Sequence, residues 1–145
     1  MTSRKGFTLI ELMVVIFIVG ILAAVAIPIM RGRIDAAKWT EGKASAGSIR
    51  TAARALIAEK GNTWAFSALN GTLDSATTYQ GLGFASTDLN GKYFIQSDYA
   101  IAFTDSANPA VEPTYTITVT AGGSGEAPAA PAGMTLDDTG LFTDL

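Results

Sequence analysis

The sequence contains neither cysteine nor histidine, and charged residues make up only 16% of the chain. These absences exclude disulfide bridges, thiolate nucleophiles, zinc sites of the Cys/His kind and Ser-His-Asp triads. The carboxylates that remain are not clustered at a spacing that is typical of an active site. The sequence therefore predicts a protein that is not an enzyme and that needs no cofactor.

Charge is almost absent from residues 7–30, where Glu11 is the only ionisable side chain. A helix of that length extends about 36 Å, enough to cross a hydrocarbon core of about 30 Å. We therefore expect a transmembrane helix over residues 7–30. An acidic side chain inside such a helix is costly, so Glu11 either reaches toward the lipid headgroups or has a specific partner.

The residues before the apolar run have the composition of a short leader. In an ordinary secretory signal the small-residue cleavage site follows the apolar segment, whereas Gly6 precedes it here. Cleavage after Gly6 would remove residues 1–6, including Arg4 and Lys5, and leave the helix on the mature chain. Those two cations favour a cytoplasmic N-terminus and an exported C-terminal part, although the basic residues just after the helix oppose that orientation.

The apolar run opens with a specific motif, GFTLIEL from residue 6, and continues through Gly20 and Pro28. Over about residues 4–35 the chain resembles type IV pilins and the pseudopilins of type II secretion systems. In that family the N-terminal helix anchors the subunit in the membrane and later joins it to other subunits in a filament. The resemblance therefore implies a pilin fold and a role in assembly.

The same resemblance implies a function for the first residues of the motif. A prepilin peptidase would cut between Gly6 and Phe7 and then methylate the amine of Phe7. Glu11 would pair with the Phe7 amine of a neighbouring subunit. A carboxylate and an amine that meet in an apolar core compensate each other's burial, so such a pair also sets the register between subunits.

Gly20 and Pro28 are predicted weak points of the helix. Proline lacks a backbone donor and clashes with the carbonyl four residues before it, and glycine is a poor helix former. The two alternatives are a simple kink in a continuous membrane span and a segment, residues 20–28, that melts within the filament. The resemblance implies the second.

Residues 31–60 continue the helical pattern as a stem, and Gly61 followed by Asn62 is a stop signal. Anchor and stem are predicted to form one helix over about residues 7–60. The stem carries seven basic and three acidic residues, whereas residues 61–145 carry one basic and nine acidic residues. Acidic residues interleaved in the stem disfavour a nucleic-acid surface, and we expect the stem cations to face the acidic head of the next subunit.

Residues 61–145 are predicted to form a small head. Strand patterns occur at residues 92–95, 99–103 and 114–120, and a last strand pair is expected to turn at residues 138–140. Residues 121–133, rich in Gly, Ala and Pro, have the composition of an exposed, flexible connector. The predicted fold class is α+β, with one long helix packed on a small antiparallel sheet.

Asp137 and Asp138 are weak candidates for calcium ligands, since carboxylate oxygens suit that ion. Their spacing matches no defined calcium loop, and a solvated turn is the alternative. The sequence therefore predicts no metal site of a known type.

The resemblance implies a structural subunit, the major pilin of a type IV pilus-like filament, that polymerises through its N-terminal helix. The alternatives are a pseudopilin of a type II secretion system or a minor pilin and, more distantly, a membrane-anchored binding domain. The implied partners are identical subunits, prepilin peptidase and an inner-membrane assembly platform, with no nucleic acid among them. The expected location is the cytoplasmic membrane before assembly and then a pilus on the cell surface.

Overall fold

A computed structural model describes residues 6–122 and 126–145 of the chain. The structure consists of two compact units, Met1–Ile34 and Asp35–Leu145. The predicted leader, residues 1–6, lies outside the described residues except for Gly6. The centre of the predicted connector, residues 123–125, also lies outside them.

The first element is helix α1, Leu9–Lys60, which runs without interruption through Pro28. It ends where Gly61 adopts a left-handed conformation, with φ of +79°, and donates its backbone N–H to the Ile57 carbonyl at 2.9 Å. Glycine takes this conformation without a steric penalty, which is why it closes many helices. The prediction of one helix over about residues 7–60 is confirmed.

The part of α1 in the first unit exposes its apolar side chains. Large hydrophobic residues from Phe7 to Ile34 all have about half or more of their surface accessible, and Phe7 is 84% exposed. By length and composition, α1 can cross a membrane.

The part of α1 in the second unit buries one face against the head. The buried positions are spaced three or four residues apart, as one side of a helix requires; they are Trp39, Gly42, Ala46, Ile49, Ala53 and Ile57. These residues form one hydrophobic core with the inward side chains of the strands. Full burial of such a side chain contributes about 1.5–3 kcal/mol.

The head contains a five-stranded antiparallel sheet whose strands follow each other in chain order. The strands are β1, Gly71–Thr72; β2, Tyr99–Thr104; β3, Thr114–Thr120; β4, Gly133–Asp137; and β5, Phe142–Asp144. Ile101 lies opposite Ile117, and Ile117 lies opposite Leu136, so three buried side chains cross the sheet in one row. The strands expected at residues 99–103 and 114–120 and the final strand pair are confirmed, and so is the α+β fold.

The prediction of a strand at residues 92–95 is wrong. This segment forms bends, because the carboxylate of Glu41 on α1 accepts the backbone N–H groups of Lys92, Tyr93 and Phe94 at 3.1, 2.8 and 3.0 Å. Donors bound in this way are not available to a neighbouring strand. Between α1 and β2 the chain also forms helix α2, Ala76–Gly81, and two turns of 3-10 helix, Phe66–Leu69 and Gln96–Asp98.

The described part of the connector contacts α1. Lys38 donates its Nζ to the Glu126 carbonyl at 2.7 Å, and Trp39 donates its Nε1 to the Ala130 carbonyl at 3.1 Å. Pro128 is buried, so the connector is not exposed throughout as its composition suggested. The flexibility of residues 121–133 stays a prediction.

Candidate functional site

The N-terminal motif forms a capping box at the start of α1. Thr8 directly precedes the first helical residue, and its backbone N–H and hydroxyl both donate to Glu11 Oε2, at 2.8 and 2.7 Å. In return, the backbone N–H of Glu11 donates to the Thr8 hydroxyl at 3.3 Å. This reciprocal pattern satisfies two of the donors that a helix leaves free at its start. The Thr-x-x-Glu spacing is a known sequence signal for it, and our sequence analysis missed it.

The capping box leaves one oxygen of Glu11 available. Both Thr8 contacts use Oε2, and Oε1 accepts no hydrogen bond from residues 6–122 or 126–145. Glu11 is exposed. Its carboxylate can therefore accept an amine from another chain without giving up the helix cap.

The predicted cleavage site lies outside the helix. Gly6, Phe7 and Thr8 are exposed and form no regular secondary structure. A peptide bond in this position is accessible to a peptidase, whereas a bond inside a helix is shielded by backbone hydrogen bonds. Cleavage after Gly6 and methylation of Phe7 stay predictions.

Gly20 and Pro28 both lie inside α1, on exposed positions. A Cβ atom built on Gly20 meets no neighbouring atom within 4 Å, so no close packing within the described chain requires glycine there. Melting of residues 20–28 stays a prediction.

Asp137 holds the turn between β4 and β5. Its Oδ1 accepts the Thr139 hydroxyl at 2.7 Å and the backbone N–H groups of Gly140 and Leu141 at 2.9 and 2.8 Å. The Thr139 hydroxyl first, and then these amides, hold the pKa of Asp137 below its usual value. The Asp138 carbonyl accepts Arg50. This geometry matches a turn, which was the alternative to a calcium site at these residues. The described residues contain no group of three His, Cys, Asp or Glu side chains that could hold a metal ion.

The N-terminal sequence of this chain is similar to those of known proteins. Residues 1–27 match the family model of the prokaryotic N-terminal methylation motif. The chain is 37% identical over 92 residues to the type IV major alpha-pilin of Moraxella bovis. This match covers 63% of this chain and 54% of that protein. It is 45% identical over 64 residues to the type II secretion system core protein G of Pseudomonas aeruginosa. This match covers 44% of this chain and 43% of that protein.

By these matches, the chain is similar to type IV pilins and to a pseudopilin-type protein of type II secretion. It is also 44% identical over 59 residues, 41% of its length, to a fimbrial protein of Pseudomonas aeruginosa, of which the match covers 38%. The chain thus spans about half or less of the length of the relatives it matches. No solved structure matches it significantly.

One residue that supports the head was not identified from the sequence. Glu41 appeared only as an acid that interrupts the basic stem, yet it binds three consecutive backbone N–H groups. Gly91 allows this approach, because a Cβ atom there would lie 2.3 Å from Glu41 Oε1. No local pattern reveals such a contact, since Glu41 and Phe94 are 53 residues apart.

Proposed function

We propose that the chain is a structural subunit, a major pilin, of a type IV pilus-like filament and that it polymerises through α1. The observation that carries this proposal is the apolar surface of residues 7–34, which is exposed in the described chain and contains one acidic side chain, Glu11. A soluble monomer rarely leaves so large a continuous apolar surface in water. A membrane covers it before assembly, and neighbouring subunits cover it afterwards.

The precursor is processed at the membrane. Prepilin peptidase removes residues 1–6 and methylates Phe7, residues 7–30 hold the subunit in the cytoplasmic membrane, and the head, residues 61–145, is exported. The stem, residues 31–60, joins anchor and head. The match of residues 1–27 to a methylation-motif family supports this order of events.

Assembly depends on Glu11. Its free Oε1 binds the Phe7 amine of the neighbouring subunit while Oε2 keeps its contacts with Thr8. An ion pair in apolar surroundings stabilises only the register in which both charges meet, because an unpaired buried charge is strongly unfavourable. Gly20 and Pro28 let residues 20–28 lose helical structure when the subunits pack.

Electron cryomicroscopy of filaments sheared from cells tests the proposal, together with mass spectrometry of their main protein. We expect filaments built of this chain, with residues 1–6 absent and the mass of one methyl group added at Phe7. The map should place Glu11 against Phe7 of the next subunit. Surface filaments that lack this chain, or an uncut chain in cells with an active peptidase, would contradict the proposal.

The alternative function is that of a pseudopilin in a type II secretion system, or of a minor pilin. The similarity to the type II secretion system core protein G favours it. Deletion of the chain would then abolish protein secretion, or reduce the number of pili, without removing the main protein of the surface filaments.

A further inference from the structure

A cleft of about 490 Å³ opens where the C-terminal part of α1 meets the sheet. Its polar lining includes Arg50, Arg54, Asn62, Glu112, Tyr115 and Asp138. Arg50 and Arg54 are one helical turn apart and therefore lie on the same face of α1. The burial of Tyr115 raises the pKa of its hydroxyl, and the positive charges of both arginines oppose that rise.

Arg50 is already bound within its own chain. Its Nε and Nη2 donate to the Asp138 carbonyl at 3.3 and 2.9 Å. A Cβ atom on Gly140 would lie 3.2 Å from the Arg50 guanidinium, so this group packs directly against the turn between β4 and β5. These donors of Arg50 therefore stabilise its own chain, and the expectation that the stem cations face the head of the next subunit stays a prediction.

Arg54 has no such contact. It is exposed, and among the described residues it forms no hydrogen bond and no ion pair. Glu112 and Asp138 line the same cleft, but neither carboxylate lies within ion-pair distance of Arg54. A guanidinium group on a partly enclosed surface binds carboxylates well, because it can donate two parallel hydrogen bonds.

The chain itself supplies a complementary ligand when many copies assemble. Residues 61–145 carry nine acidic residues and one basic residue. Asp74 and Asp144 are exposed, and their carboxylates accept no hydrogen bond from the described residues. In a helical polymer each subunit presents one surface to a different surface of the next, so the cation of one copy can meet an acid of another.

We propose that Arg54 binds a carboxylate from the head of a second copy of the chain and that this cleft is a contact between subunits. This proposal rests on the proposed filament function. Arg50 forms a fixed wall of the cleft, and Arg54 provides the free cation. Contacts of this type give specificity and strengthen at low ionic strength.

The first test compares the filaments of three variants. Arg54→Gln removes the free cation, Arg54→Lys keeps it, and Lys60→Gln is the matched control, since Lys60 is an exposed cation on the same helix that pairs with its neighbour Glu59 at 2.8 Å. We expect filaments of Arg54→Gln to dissociate at a lower salt concentration than those of the wild type, Arg54→Lys and Lys60→Gln. Equal salt resistance of all four proteins would overturn the proposal.

The second test identifies the partner. In filaments of Arg54→Lys, a zero-length carbodiimide reagent can couple the new amine to any carboxylate that touches it. We expect covalent dimers in which residue 54 is joined to an acidic residue between 61 and 145 of another copy. Coupling only to Glu112 or Asp138 within one chain, or no coupling at all, would overturn the proposal. A wild-type chain that forms no filaments would instead refute the proposed function on which this contact rests.

Discussion

At the scale of single residues, Glu41 on the stem supports the fold of the head. It joins α1 to a segment that has no regular structure, by accepting three backbone N–H groups with one carboxylate. The same segment carries Phe94, which is fully buried between Trp39 and Tyr99, with ring centroids 5.0 and 6.2 Å away. Glu41 thus fixes the backbone of a residue that fills the core.

We expect Glu41→Ala to lower the free energy of unfolding by about 1–3 kcal/mol, because it leaves three backbone donors without their acceptor. Glu41→Gln keeps one acceptor oxygen and should cause a smaller loss. Chemical denaturation of the full chain in detergent, followed by near-ultraviolet circular dichroism, measures both. Glu59→Ala is the control, since an exposed pair such as Glu59–Lys60 contributes at most about 1 kcal/mol. Equal losses for Glu41→Ala and Glu59→Ala would contradict this role.

Acid should weaken the head through Asp137. Its contacts with Thr139 and two backbone amides lower its pKa in the folded state, so they stabilise the fold above the unfolded-state pKa of about 3.9. That stabilisation is lost as the pH falls through the lower, folded-state pKa. The Ser67 hydroxyl and neighbouring backbone amides lower the pKa of Asp105, which adds to the effect in the same direction.

We expect the thermal unfolding midpoint to fall as the pH is lowered from 5 to about 2. Asp137→Asn should be less stable than the wild type near neutral pH and should lose less stability on acidification. Asp74→Asn is the control, because the Asp74 side chain accepts no hydrogen bond from the described residues. If the thermal unfolding midpoints of the wild type and of Asp137→Asn fell in parallel with pH, the turn contacts would contribute no charge-dependent stability.

At the scale of elements, two glycines of α1 show how packing overrides helix propensity. Gly42 faces Phe94, and a Cβ atom there would lie 3.1 Å from two ring carbons; a Cβ atom on Gly47 would meet nothing within 4 Å. Phe94 has little room to move, since it is held between two aromatic rings. The same chemical change should therefore have opposite effects at the two positions.

We expect Gly47→Ala to raise the free energy of unfolding by about 0.5–1 kcal/mol, since alanine is the better helix former. Gly42→Ala should lower it, because overpacking a core costs about 1–3 kcal/mol and exceeds the gain in propensity. Denaturation of both variants in detergent provides the comparison. A gain in stability at Gly42 would show that Phe94 can shift.

At this scale the sequence predicted regular elements well and irregular ones poorly. α1 and strands β2 and β3 follow clear periodic patterns, so their existence and approximate bounds were readable. Residues 92–95 also have the composition of a strand, but their donors are bound by Glu41 instead. Composition cannot show which distant acceptor a backbone N–H will find.

At the scale of the whole molecule, the chain separates two kinds of surface along its length. Residues 7–34 expose an apolar helical surface with one acid, and residues 35–145 carry an excess of acidic residues. The first surface suits a membrane or other apolar helices, whereas the second suits water. The proposed filament uses both, with apolar helices inside and charged heads outside.

We expect Glu11→Gln to reduce the yield of sheared filaments to trace amounts. Loss of one partner from a buried ion pair costs about 3–5 kcal/mol, which is roughly a hundredfold or more in an association constant. The measurement is the quantity of this chain in the sheared fraction relative to the membrane fraction. Glu59→Gln, which removes an exposed acid from the same helix, should assemble normally, and normal assembly of Glu11→Gln would contradict the proposed pairing.

The sequence by itself determined the long apolar helix, the methylation motif and the α+β class, because each depends on local composition or on the periodicity of neighbouring residues. Only the tertiary structure decided which distant polar groups meet: Glu41 with the segment that carries Phe94 and Arg50 with the β4–β5 turn, while Arg54 forms no hydrogen bond or ion pair with any described residue. Both contacts join residues far apart in the chain, and their geometry arises from packing the helix against the sheet.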